Sequence, residues 1–184
     1  MKAIPLTYLS TGVLDTAFDS QVYQVLVNLG RGFRIRHLCM EPYGMWLLAE
    51  RVERERALRQ KIPIQSIRSA PFVGRLSLWW DGRLLRRHLV RDGEESQREI
   101  IHARGYVNGY RALAALGSSR KRIRLITDYR GVLWDEMVRH EASLARRWIN
   151  QVRAAEVLKI EGRVARESDG IICVSRNFVF SPTL

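Results

Sequence analysis

Asp128 follows a strand-like stretch that begins at Ile123, and Tyr129, Arg130 and Gly131 come next. A carboxylate in that place can take the proton of a substrate hydroxyl or accept its hydrogen bond. It can equally cap the adjoining turn or pair with Arg130. Arg104 and Arg130 are each followed by glycine, which lets the backbone turn sharply and presents a guanidinium fork suited to phosphate. Ion pairing with Asp135 or Glu136 is the plainer role for both. Gly12 precedes an apolar-periodic stretch, so backbone N–H groups of a helix N-terminus could meet an anion such as a diphosphate there. A loop glycine also serves simply as a turn device, and the chain has no Gly-x-Gly-x-x-Gly and no Gly-Lys-Ser/Thr signature. His102 follows Ile100 and Ile101, a place for a catalyst or for a hydrogen-bonded structural histidine. His37, His88 and His140 have no metal-ligand spacing with one another or with Cys39 and Cys173, so no metal site is expected.

These residues need elements to place them. Ala3 to Leu9 reads as a buried strand closing in Ser10, Thr11 and Gly12. Val22, Val25, Leu26 and Leu29 lie on one helical face, with Asp19 or Ser20 as cap and Gly30 at the left-handed stop. Phe33 to Met40 is a second strand, completing a βαβ unit and implying a parallel sheet. A helix follows from Pro42 to about Gln60, and its pairs Glu50/Arg54, Arg51/Glu55 and Glu55/Arg59 mark a solvated face. Ile62 to Ile67 is a third strand. Within Pro71 to Val90 the face of Phe72, Leu76, Trp79 and Trp80 argues for a helix, while Asp81-Gly82 is equally a hairpin turn; the α/β surroundings favour the helix. Trp79 and Trp80 are expected in the core with the other tryptophans, although flanking arginines would also suit an interfacial membrane face. A fourth strand at Ile100 to Gly105, a helix stopped by Gly117, and a fifth strand at Ile123 to Thr127 come next. A long helix from Asp135 to Glu167 carrying Leu144, Trp148, Ile149, Val152 and Leu158 leads into a sixth strand, Ile171 to Val174. The expected fold is α/β: one doubly wound, Rossmann-like domain with a mostly parallel sheet, whose ligands bind at the carboxyl ends of the strands.

The 184 residues suffice for one such domain, and 46% hydrophobic content is that of a globular chain. Lysine and arginine number 31 against 19 acidic residues, a net charge of +12, and all the basic residues except Lys2, Lys61, Lys121 and Lys159 are arginines. The excess suits polyanions, whether nucleic acid, an anionic membrane or phosphate-bearing substrates; arginines scattered over a solvated surface are the alternative. Two cysteines are too few for a disulfide framework. No apolar run approaches the ~20 residues of a membrane span, and Pro5, Thr7 and Ser10 interrupt any signal-peptide core. The expected location is cytoplasmic.

The run Ile100-Ile101-His102-Ala103-Arg104-Gly105, then Asp128-Tyr129-Arg130-Gly131 with Asp135-Glu136, then Glu161 and Asp169-Gly170-Ile171-Ile172-Cys173-Val174-Ser175, resembles the N-terminal half of a family-4-type glycosyltransferase. Ser20-Gln21-Val22 opening the first helix resembles it too, so the likeness runs over essentially the whole chain. Such enzymes have two Rossmann-like domains facing across a cleft, the GT-B arrangement. The N-terminal domain mainly holds the sugar acceptor and the C-terminal domain the nucleotide-sugar donor; transfer is metal-independent and retains anomeric configuration. By that resemblance Asp128 is the candidate catalytic residue, at a strand end where related enzymes often carry a histidine. Gly12 would approach the donor diphosphate, and Arg104, Arg130 and Glu136 would shape the acceptor side, with His102 a further substrate contact. Residues 1–178 would form the domain and 179–184 a short tail. The donor domain, with its pair of glutamates, is expected to lie outside this chain, leaving the chain alone inactive.

The partners implied are a sugar or lipid-linked acceptor, a nucleotide-sugar held with a second domain, and the anionic face of a membrane, in polysaccharide or glycolipid synthesis. The nucleotide-sugar is a substrate, and no cofactor is expected. The other reading is a non-catalytic basic Rossmann-like module binding nucleotide or nucleic acid. Against it stand the lack of a nucleic-acid motif and of a compact basic stripe, so no specific nucleic acid is expected.

Overall fold

A computed structural model describes residues 3–11, 24–30, 32–42, 64–69, 75–89, 99–117, 123–129 and 144–173. In chain order the elements are β1 (Ile4–Thr11), α1 (Gln24–Leu29), β2 (Phe33–Pro42), β3 (Ile64–Ser69), α2 (Arg75–Leu89), β4 (Glu99–Arg104), α3 (Gly105–Leu116), β5 (Ile123–Tyr129), α4 (Leu144–Glu167) and β6 (Gly170–Cys173). The strands form one six-stranded sheet in the order β3-β2-β1-β4-β5-β6. Each described pairing is parallel. This is the doubly wound arrangement that the alternation of apolar runs and amphipathic stretches predicts.

The order explains where the helices go. From β1 the chain steps outward to β2 and β3, then crosses back to β4 and continues outward the other way. Right-handed crossovers therefore place α1 on one face and α2, α3 and α4 on the other. On the second face Leu9, Leu38, Met40, Ile101, Ala103 and Leu125 meet Leu78 and Leu85 of α2, Tyr110 and Leu113 of α3, and Val157, Ile160 and Val164 of α4. Both faces of β1 are buried over Leu6 to Ser10, as a central parallel strand requires. Long-range polar contacts lock its start: Thr7 Oγ1 donates to Glu99 at 2.5 Å, and Arg36 reaches Thr7, Glu99 and the His88 carbonyl.

Residues 75–89 are helical, so Asp81-Gly82 is no hairpin turn. Asp81 points into the protein, and Gly82 is a packing device. A Cβ there would lie 2.5 Å from the Ala114 Cβ and 3.0 Å from the Arg111 carbonyl oxygen, so only glycine lets α2 and α3 come this close.

Three expectations need correction. Trp79 and Trp80 are 44% and 57% exposed, because the inward arc of α2 is Ser77, Leu78, Asp81, Gly82, Leu85 and Leu89. Among the described side chains of α4 the buried ones are Ala154, Val157, Ile160, Glu161 and Val164, while Leu158 is only half-buried. Gly30 donates its N–H to the Leu26 carbonyl without entering the left-handed region; Gly117, with φ +45°, does enter it and stops α3. Pro42 ends β2 where the sequence suggests a helix start. The rest of that expected helix to Gln60, the caps Asp19 and Ser20, Trp46, Trp134, the side chains of Leu144, Trp148, Ile149 and Val152, and the tail 179–184 lie outside the described residues.

Candidate active site at the carboxyl edge of the sheet

Strands β1 and β4 are neighbours whose outgoing connections run in opposite directions. Their carboxyl ends therefore bound the crevice where open α/β sheets bind ligands. β4 passes into α3 with no loop: Arg104 is the last strand residue and the helix N-cap, and Gly105 follows with φ +77°. That conformation costs a side-chain-bearing residue energy, which accounts for glycine after Arg104. The Arg104 side chain makes no capping hydrogen bond to α3.

The register brings three of the candidate residues together. Arg104 is the Cα partner of Asp128, and His102 sits two residues before Arg104 on the same face. Adjacent strands lie ~4.8 Å apart, so a guanidinium and a carboxylate start from neighbouring backbone positions at one strand edge. Asp128 is 2% exposed, while Arg104 and His102 are half-buried. The His102 ring stands edge-on to Tyr8 at 4.9 Å, and Tyr8 meets His37 in the same way at 5.6 Å. Gly12, Arg130 and Glu136 lie outside the described residues.

Sequence reasoning missed two neighbouring networks. The first fixes the crevice rim. Thr11 Oγ1 donates to Asn108 Oδ1 at 3.0 Å, Asn108 Nδ2 donates to the Arg104 carbonyl at 2.7 Å, and Arg111 Nη1 donates to Thr11 Oγ1 at 2.8 Å. Behind it, Arg111 Nε and Nη2 both reach Asp81 Oδ2, at 2.9 and 2.8 Å, with both side chains buried. Burial pushes the Arg111 guanidinium down from its ordinary value, and the Asp81 charge and hydrogen bond act against that.

The second network is a buried polar row on the face of His102 and Asp128. Ser10 Oγ lies 2.8 Å from His37 Nε2 and 3.8 Å from Cys39 Sγ, and Cys39 Sγ donates to Glu41 Oε1 at 3.1 Å. Desolvation lowers His37 to about 4, so its imidazole is neutral at pH 7. The signal was available: His37, Cys39 and Glu41 alternate with Leu38 and Met40, the period of a strand whose faces differ in polarity. The two faces of the sheet thus differ chemically. One carries the main apolar core under α2, α3 and α4; the other, on the α1 side, gathers Ser10, His37, Cys39, Glu41, His102, Arg104 and Asp128.

Two residues of the loose motifs are structural. Asp169 staples β6 to β5: it accepts the Leu125 N–H at 2.9 Å and pairs with Arg124 at 2.7 Å, and its own N–H reaches the Leu125 carbonyl at 2.8 Å. Glu161 is buried on α4, on the other side of the sheet from Asp128, and its carbonyl accepts the Tyr129 hydroxyl at 2.9 Å. Among the described residues no cluster of His, Cys, Asp and Glu could hold a metal ion, and no helix is long and apolar enough to cross a membrane.

No family model and no curated protein matches the chain. Among solved structures it is similar to Phytolacca americana UGT2 complexed with UDP-2fluoro-glucose and pterostilbene. The TM-score is 0.57 at 12% identity, covering 94% of this chain and 48% of that one. The chain spans about half the length of the structure it matches. At that identity the likeness shows the fold alone, a single Rossmann-like α/β domain.

Proposed function

We propose that this chain is the acceptor-side domain of a glycosyltransferase that moves a sugar from a nucleotide-sugar to a hydroxyl in polysaccharide or glycolipid synthesis. The observation that carries the reading is the register pairing of Arg104 with Asp128, at the carboxyl edge of a domain whose solved likeness binds a UDP-sugar and pterostilbene. Asp128 accepts the hydrogen bond of the acceptor hydroxyl and holds it for transfer, its proton passing to the departing phosphate; Arg104 and His102 orient the acceptor, Arg104 through any phosphate it carries. Gly12, Arg130 and Glu136 complete the rim in this reading. The donor and its diphosphate are held mainly by a second, facing domain, so this chain alone does not transfer sugar.

The family-4-type assignment, with metal-independent retaining transfer, belongs to the same proposal. There the leaving phosphate assists the incoming hydroxyl, and the protein supplies fixed charge and dipoles. A cytoplasmic location with peripheral contact to an anionic membrane follows from a lipid-linked acceptor.

The test is calorimetric titration of the chain with free sugars, glycosides and a phosphoprenyl-linked sugar, against uridine diphosphate and single-stranded RNA. Acceptor binding that Asp128→Asn weakens about tenfold with an unchanged melting temperature supports the reading. Tight RNA binding with a steep salt slope and no acceptor binding replaces it with the basic-module reading.

A further inference from the structure

Helix α2 carries no acidic residue except Asp81, and Asp81 is buried. Its solvent arc therefore has no carboxylate, and it is neither simply polar nor apolar. Leu76, Trp79, Trp80, Arg83 and Arg87 follow one another at i, i+3, i+4, i+7 and i+11, so they share one stripe, with Arg86 beside it. Leu76 is 84% exposed and all three arginines are exposed. Isolated exposed apolar residues need no explanation; an aliphatic and two indoles contiguous on a helix whose other exposed residues are all arginines do.

We infer that this stripe of α2 docks the protein on a bilayer surface rich in anionic phospholipid. Indoles with one polar edge settle at the headgroup level, an aliphatic tip enters the acyl boundary, and arginines meet lipid phosphates. Charge selects the occupant. A second copy of this chain, net charge +12, would bring the same arginines against themselves. Nucleic acid would use open aromatic faces for stacking, but the Arg83 guanidinium already covers the Trp79 ring at 4.4 Å. The most exposed side chain, Leu76, has nothing to offer a base or a phosphate.

The placement deepens the acceptor-domain reading, on which its meaning for function rests. The far end of α2 lies at the amino edge of the sheet, where the His88 carbonyl accepts from Arg36. Midway along, Asp81 is tied through Arg111 to Thr11 at the carboxyl edge. The stripe's leading residues, Leu76, Trp79 and Trp80, thus lie toward the crevice edge, and a docked bilayer would present lipid-linked acceptors on that side.

The experiment is co-sedimentation of the chain with phosphatidylcholine vesicles, with and without phosphatidylglycerol. We expect pelleting with the anionic vesicles, release by 0.5 M salt (a Debye length of ~4 Å), and little pelleting with phosphatidylcholine alone. The paired variant Leu76→Ser/Trp80→Ser, and separately Arg86→Glu/Arg87→Glu, should each lower affinity about tenfold while circular dichroism stays unchanged. Folded variants that pellet like the parent overturn the inference, as does binding that ignores lipid charge, or RNA retention without vesicle binding. Asp128→Asn, which leaves α2 untouched, should pellet normally, so vesicle binding and acceptor binding fail separately.

Discussion

Arg111 of α3 places both Nε and Nη2 on a single carboxylate oxygen of Asp81 in α2, while its remaining Nη1 supports Thr11 and Asn108 at the crevice rim. One guanidinium thus joins the interhelical core to the end of the central strand. A buried pair of this kind contributes little over a well-packed apolar pair, yet losing one partner strands a charge.

Asp81→Asn or Arg111→Met alone should therefore cost about 3–5 kcal/mol in urea unfolding, with the urea slope unchanged. The double change Asp81→Leu/Arg111→Met should recover most of that loss. It should still speed amide exchange around Thr11 and Asn108, whose support is gone. Equal losses in single and double variants would mean that packing, and not stranded charge, sets the cost.

Gly82→Ala should destabilise by about 1–3 kcal/mol despite alanine's better helix propensity, because its methyl overlaps Ala114. Adding Ala114→Gly should restore part of the stability. Thermal melts of the two single variants and the pair supply the cycle.

His37 is held near 4 in the folded protein against an ordinary 6.5. The unfolded chain takes up the proton first, so the stability present above pH 6.5 is lost as pH falls toward 4. The loss is roughly 3 kcal/mol from this group. His37→Gln, compared with the parent by urea unfolding at each pH, should lack this loss on the acid side.

Glu161 runs the other way. Burial raises its carboxyl to about 6 from 4.5, so the folded state binds the extra proton. Its contribution is present below pH 4.5 and is lost as pH rises through about 6. The two windows overlap between about pH 4.5 and 6 with opposite signs. Glu161→Gln should therefore expose the full His37 loss there, and the double variant His37→Gln/Glu161→Gln should be flatter than either single variant in the same pH series.

Arg104→Gln should weaken binding of phosphate-bearing acceptors about tenfold and of neutral sugars hardly at all. The titrations proposed for Asp128→Asn provide the comparison. Equal loss for both ligand classes would make Arg104 a structural residue.

Much of the fold was legible because a central parallel strand, buried on both faces, leaves a short, mostly apolar run such as Ala3 to Leu9. Register was not legible, and register is what sets Arg104 beside Asp128 where sequence proximity pointed to Arg130. α2 was half legible: its period argued for a helix, but Asp81-Gly82 read as a turn until Arg111 and Ala114 came into view. The tryptophan pair misled for a related reason. Tight packing on α3 favours the small Ser77 and Gly82 inward, and that turns the large rings out. Asn108 and Arg111 gave no signal at all, since their partner Thr11 lies about a hundred residues earlier.

The pairing of β1 with β4 has a consequence for how the chain is made. Thr7 and Glu99 are 92 residues apart, so β1 is synthesised long before one of its two neighbours exists. At about 5–20 residues per second the interval is roughly 5–20 s, far longer than the microseconds in which a lone hairpin closes. Through that interval β1 can pair only with β2, and its other edge stays open to any passing strand. Nascent chains of this protein should therefore engage chaperones until β4 leaves the ribosome, and ribosome-bound chains halted with β4 still inside the exit tunnel should be far more protease-sensitive than chains halted after it has emerged.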